Sequence, residues 1–157
     1  MSRLELAQAL LNKADQDKTV FDKLRPDPEV AVDILGFHAQ QAAEKMLKAL
    51  LASKETGFPF SHRLADLFDL VREKGVSVPE DLEELRFLTP FAVAFRYELY
   101  EEEEEEPFDS ERISALLNKL REWTTGEILA RPADEEMIDK TPSEAAGEDE
   151  ESPAGAE

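Results

Sequence analysis

The side chains with the greatest chemical potential in this sequence are concentrated between residues 34 and 51. Polar and aromatic residues recur there at three- and four-residue steps, so in a helix they would form one column. The members are Ile34, Phe37, His38, Gln41, Glu44, Lys45 and Lys48. An imidazole can act as a general base or contact a ligand, and an ammonium group can hold an anion. The column therefore predicts either a binding surface or an interface with a partner, and an ordinary salt-bridge network is the alternative.

A neighbouring stripe of the same segment is apolar. Its members are Leu35, Ala39, Ala42, Ala43, Met46, Leu47 and Leu50. This spacing is typical of an amphipathic helix whose apolar stripe faces a core. We predict a helix over residues 28–53, with Asp27 as its N-cap and Pro28 in its first turn. Gly36 lies inside that helix and indicates close packing against another element.

A second cluster lies at the end of a later apolar segment, where Arg96 is followed by Tyr97. Three roles fit the Arg96 guanidinium: a partner for the helix dipole, a cation at the rim of a site, or a clamp for an anion. Arg96 is also a candidate to pair with Glu44 from the neighbouring helix. His62, near the start of a predicted helix, is interpreted as an anchor for its loop.

The remaining chain supplies the elements that must position these residues. Apolar residues recur at helical steps throughout, and no stretch shows the alternation of a strand. The predicted helices cover residues 3–24, 28–53, 62–74, 79–96 and 109–129. The first is interrupted near residues 15–17, the third ends at Gly75, and the fourth is kinked or restarted at Pro90. Phe58 and Phe60 are predicted to cover the core. The result is an all-α, up-down antiparallel bundle of four to five helices.

Composition limits the class of protein. The chain has 157 residues, a net charge of −19 and no cysteine. The six glutamates at 101–106 and the acids after residue 133 carry most of that charge. We predict one helical domain over residues 1–130 and an acidic, disordered tail over residues 131–157. No apolar run approaches the roughly 20 residues of a membrane span, so a cytoplasmic protein without a membrane partner is expected.

Several segments together resemble the HEPN family (higher eukaryotes and prokaryotes nucleotide-binding). Residues 38–51 are similar to its signature helix. Residues 61–64 are similar to its His-Asp-Leu segment, with Arg63 in place of the acid. Residues 88–97 are similar to the close of its penultimate long helix, an Arg-Tyr-Pro motif, and residues 109–129 are similar to its final helix. The resemblance covers about residues 3–129.

The resemblance implies a helical bundle that often dimerises. It also implies a minimal nucleotidyltransferase as the partner in a toxin–antitoxin-like pair, and a nucleotide as a ligand. Many members are metal-independent ribonucleases that carry an arginine, four to six variable residues and a histidine. Here Arg96 is followed by Tyr97, Glu98 and then the glutamate run, with no histidine. Carboxylates at that position would repel RNA phosphates.

We therefore predict a HEPN-type binding module that forms a homodimer and requires no metal or cofactor. One alternative is a divergent metal-independent ribonuclease toxin that acts on RNA through Arg96 and His38. A second is a purely structural homodimerisation module. No catalytic residue is assigned. The candidate binding or interface residues are Phe37, His38, Gln41, Glu44, Lys45, Lys48, Arg96 and Tyr97.

Overall fold

The computed structural model describes residues 1–54, 57, 60–92 and 108–130. These residues contain four α-helices, one 3₁₀ helix and no strand, which confirms the all-α prediction. The elements are α1 (Arg3–Leu24), α2 (Val32–Ser53), α3 (Leu64–Glu73), the 3₁₀ helix (Glu80–Leu88) and α4 (Ser110–Leu129). Arg96, Tyr97, the second half of the predicted fourth helix and the predicted tail lie outside the described residues.

Helix α1 is continuous, so the interruption predicted near residues 15–17 is wrong. Ser2 caps its start, because its hydroxyl oxygen accepts a hydrogen bond from the Glu5 amide at 3.1 Å. The acids at the predicted break instead contact neighbouring helices: Asp15 receives two hydrogen bonds from Arg121 of α4, at 2.8 and 3.0 Å. Since Asp22 also accepts a hydrogen bond from Ser114, at 2.8 Å, α1 and α4 run antiparallel.

Helix α2 begins four residues later than predicted, at Val32 rather than at Pro28. Asp27 is not the N-cap. Its carboxylate accepts a hydrogen bond from the Glu29 amide at 2.9 Å, which closes a local turn. The chain then enters the helix through Ala31, whose backbone is extended. The predicted end at Ser53 is confirmed.

The α3 region differs from the prediction in its start and in the element that follows. Helix α3 begins at Leu64, whose amide donates to the Thr89 hydroxyl at 3.1 Å, and it is followed by Gly75 with a φ of 82°. The next element is a 3₁₀ helix, where sequence reasoning predicts an α-helix. Its buried residues Leu82, Leu85 and Leu88 recur every three positions, which matches three residues per turn.

The core is built mainly from α2, whose apolar stripe is buried as predicted. The predicted close packing at Gly36 is present, because a Cβ built there would overlap the ring of Phe91. Phe91 in turn meets Phe108 edge-on, with 5.6 Å between ring centroids. Phe60 is fully exposed, so the prediction that it covers the core is wrong. Phe58 lies outside the described residues.

We expect Gly36→Ala to destabilise the protein. An added methyl group must displace the Phe91 ring, and overpacking of this kind costs about 1–3 kcal/mol, which exceeds the gain of about 1 kcal/mol in helix propensity. The free energy of unfolding, measured by chemical denaturation, checks this. Gly126→Ala is the matched control in α4, because a Cβ there meets nothing within 4 Å. The control is expected to be neutral or stabilising, and equal effects of the two changes would contradict the interpretation.

Candidate functional site

Without Ile34, the polar column of α2 forms a strip along the helix, and we call it the polar strip. It consists of Phe37, His38, Gln41, Glu44, Lys45 and Lys48. Glu44 is buried and the other members are half-buried. Since consecutive helical positions are 100° apart, His38 and Lys45 lie on the edge of the strip towards α1. Glu44 lies on the other edge, towards the start of α3.

One edge of the polar strip is tied to α1 by a single carboxylate. Asp17 lies with one oxygen 3.1 Å from His38 Nδ1 and contacts the Lys45 ammonium group with the other. The Phe37 ring packs edge-on against the His38 ring, with 5.3 Å between centroids. The side chain of Asp17 is only 15% exposed, so its carboxylate is largely shielded from bulk water.

The other edge centres on Glu44, whose side chain is 5% exposed. Lys48 donates to its carboxylate at 2.6 Å, and the Gln40 amide does so at 3.0 Å. The Gln41 amide makes a longer contact at 3.4 Å. His62 Nδ1, from the segment before α3, lies 3.0 Å from one oxygen and 3.2 Å from the other. One buried carboxylate therefore organises three side chains of α2 and one of the next segment.

The Glu44 carboxyl group remains ionised despite its burial. Burial acts to raise its pKa, because a charged group loses hydration inside the protein. The hydrogen bonds from Lys48, Gln40 and His62, together with the positive charge of Lys48, outweigh burial and hold the pKa of Glu44 below its usual value. An ionised carboxylate can only accept hydrogen bonds, which fixes the direction of every contact that it makes.

His62 belongs to this site, although its interpretation as a loop anchor leaves it out. Its ring contacts Glu44, and its main-chain oxygen accepts a hydrogen bond from Gln40 Nε2 at 3.1 Å. Gln40 is completely buried. The helical periodicity of the sequence does not distinguish its position from that of a core residue. The sequence signal for His62 is the segment of residues 61–64, in which the histidine lies two residues before the start of α3.

The structure brings together six of the eight predicted site residues, and these are the members of the polar strip. Arg96 and Tyr97 lie outside the described residues, as does the predicted pairing of Arg96 with Glu44. Chemically, the strip offers the Gln41 amide and the His38 imidazole for hydrogen bonding, while Lys45 and Lys48 each contact a carboxylate. Within the described ranges, no three His, Asp or Glu side chains are grouped as a metal site would need.

Comparison with known proteins identifies the family. A family model, HEPN domain, matches residues 7–128. The match covers most of the chain, so this protein belongs to the HEPN domain family. Searches among curated proteins and among solved structures found no match. In the described part of the chain, none of the helices has the length and apolar composition to cross a bilayer.

We expect Glu44→Gln to remove part of the pH dependence of stability. Because the pKa of Glu44 is lowered by folding, its ionised form stabilises the protein above the ordinary carboxyl range. That contribution is lost as pH falls through the lowered value. At pH 7 the variant should be less stable by about 1–3 kcal/mol, the cost of weakening buried hydrogen bonds to a charged group. The difference should shrink towards pH 3, as chemical denaturation at each pH will show.

Glu29→Gln is the control for this change. Glu29 is an exposed glutamate before α2, so its substitution should alter the free energy of unfolding by no more than about 0.5 kcal/mol. Parallel pH profiles for wild type and Glu44→Gln would show that the buried carboxylate does not contribute as argued.

Proposed function

We propose that this HEPN domain is a binding module that pairs with a minimal nucleotidyltransferase, and that the polar strip is its contact surface. Family membership supports the class of partner. The single observation that carries the choice of surface is the internal pairing of the strip. Asp17 and Glu44, one at each edge, hold the His38 imidazole and the ammonium groups of Lys45 and Lys48 in fixed positions.

Charge balance supports a protein partner at this surface. The Asp17 carboxylate balances the Lys45 ammonium group and the Glu44 carboxylate balances that of Lys48, so these four groups of the strip and its α1 neighbour carry no net charge. Most of the net charge of −19 lies in residues 101–106 and after residue 133, so another acidic protein would be repelled mainly from those segments. A neutral strip with an amide at Gln41 and a ring at Phe37 permits close approach without that repulsion.

Preorganisation supports the same surface. Side chains that are already held by hydrogen bonds lose less conformational entropy when a partner binds. His38, Lys45 and Lys48 each contact a carboxylate before any partner is present. The strip is therefore suited to recognition through a fixed pattern of hydrogen bonds.

The other predicted ligands receive less support from this geometry. A nucleotide needs cations for its phosphates, and both lysines of the strip are engaged by carboxylates. Nucleotide binding therefore belongs to the complex more than to this chain alone. Metal-independent RNA cleavage needs a proton acceptor and a cation for the phosphate. In the described residues, His38 contacts Asp17, and the negative charge of Asp17 is already balanced by Lys45.

The first test is the neighbouring reading frame, which we expect to encode a minimal nucleotidyltransferase. The two full-length proteins, produced together, should elute as one complex in size-exclusion chromatography.

Gln41→Arg, at the centre of the strip, should weaken that complex at least ten-fold, or about 1.4 kcal/mol. Titration calorimetry measures the change, and light scattering of the chain alone tests the expected homodimer.

Asn118→Arg is the matched control, because it makes the same amide-to-guanidinium change on the exposed side of α4. Both variants alter the net charge equally, so a general electrostatic effect would weaken both. Equal affinities for the two variants would rule out the polar strip as the contact surface, and failure of the wild-type proteins to associate would end the proposal itself.

A further inference from the structure

His62 is held in one orientation by two side chains of α2. Gln40 fixes its main chain through the carbonyl oxygen at 3.1 Å, and Glu44 fixes its ring through Nδ1 at 3.0 Å. Both partners are buried, whereas the His62 side chain is 61% exposed. The ring therefore has a fixed inner edge and an outer edge that faces solvent.

The chemistry of Glu44 determines which ring nitrogen carries the proton. An ionised carboxylate accepts hydrogen bonds and cannot donate them, so Nδ1 must be the protonated nitrogen. The charge of Glu44 is balanced by Lys48, whose ammonium nitrogen lies 2.6 Å from the carboxylate. In the neutral ring, Nε2 is then a hydrogen-bond acceptor.

We propose that His62 Nε2 is a contact residue for the partner and accepts a hydrogen bond from a neutral hydroxyl or amide donor, with Glu44 and Gln40 as positioning residues. This inference rests on the proposed function, because the partner is the nucleotidyltransferase. Among the described residues, Nε2 of His62 has no hydrogen-bond partner. Lys48 on the same carboxylate and the exposed Arg63 next in sequence disfavour a cationic donor.

A loop anchor and a contact residue differ in the nitrogen that they use. An anchor needs only Nδ1, which the side-chain amide of asparagine reproduces. A contact residue also needs Nε2, which asparagine lacks. His62→Asn therefore separates the two roles, since it keeps the inner hydrogen bond to Glu44 and removes the outer acceptor.

The tautomer is tested first, on the full chain alone. Nitrogen-15 NMR of the neutral histidine rings should show His62 protonated at Nδ1 and not at Nε2. Glu44→Gln, whose amide can also donate, should allow the other tautomer to become populated. A wild-type ring protonated at Nε2 would overturn the inference without any partner present.

The contact is tested next, by calorimetry with the full-length nucleotidyltransferase. His62→Asn should bind at least ten-fold more weakly than wild type while its denaturation midpoint is unchanged. His62→Gln, which loses the inner hydrogen bond, should lower the midpoint. Wild-type affinity in His62→Asn would show that His62 only anchors its loop, and the proposed function would still stand. If wild type itself does not bind, the proposed function fails and the contact fails with it.

Discussion

The buried, ionised carboxylate of Glu44 is the constraint on which the site depends. An unpaired charge at that position would be strongly destabilising. Four donors offset the cost, and three of them come from α2 itself: Lys48, Gln40 and Gln41. The fourth is His62, so the same charge also attaches the segment before α3 to α2. A single desolvated group thereby fixes both local side-chain orientation and the path of the chain.

That attachment extends beyond α2 and His62. Two residues after His62, the Leu64 amide donates to Thr89 at the end of the 3₁₀ helix. The start of α3 is therefore held from two sides, by α2 through Glu44 and by the 3₁₀ helix through Thr89. On the opposite edge, Asp17 of α1 plays the corresponding part for His38 and Lys45. The polar strip lies between these two anchors, which explains why its charges are neutralised within the chain.

Helical spacing was sufficient to predict α2, because Leu35, Met46 and Leu50 repeat at steps that only a helix brings to one side. The same reasoning could not separate a 3₁₀ helix from an α-helix at Leu82, Leu85 and Leu88. A three-residue step is compatible with both, and the choice depends on tertiary contacts. The strip was predictable from residue type, whereas the role of His62 depended on its distance to a residue 18 positions earlier.

At Gly36, the packing contact with Phe91 and the start of the polar strip lie in the same turn of α2. The Phe91 ring occupies the space that a Cβ would take, and the same ring meets Phe108, the residue before the Asp109 cap of α4. The next residues along α2 are Phe37 and His38, which begin the polar strip. A glycine costs about 1 kcal/mol of helix propensity there, yet a larger residue would move Phe91 and, through Phe108, the start of α4. The small residue is therefore required by the approach of a second element to the turn where the strip begins.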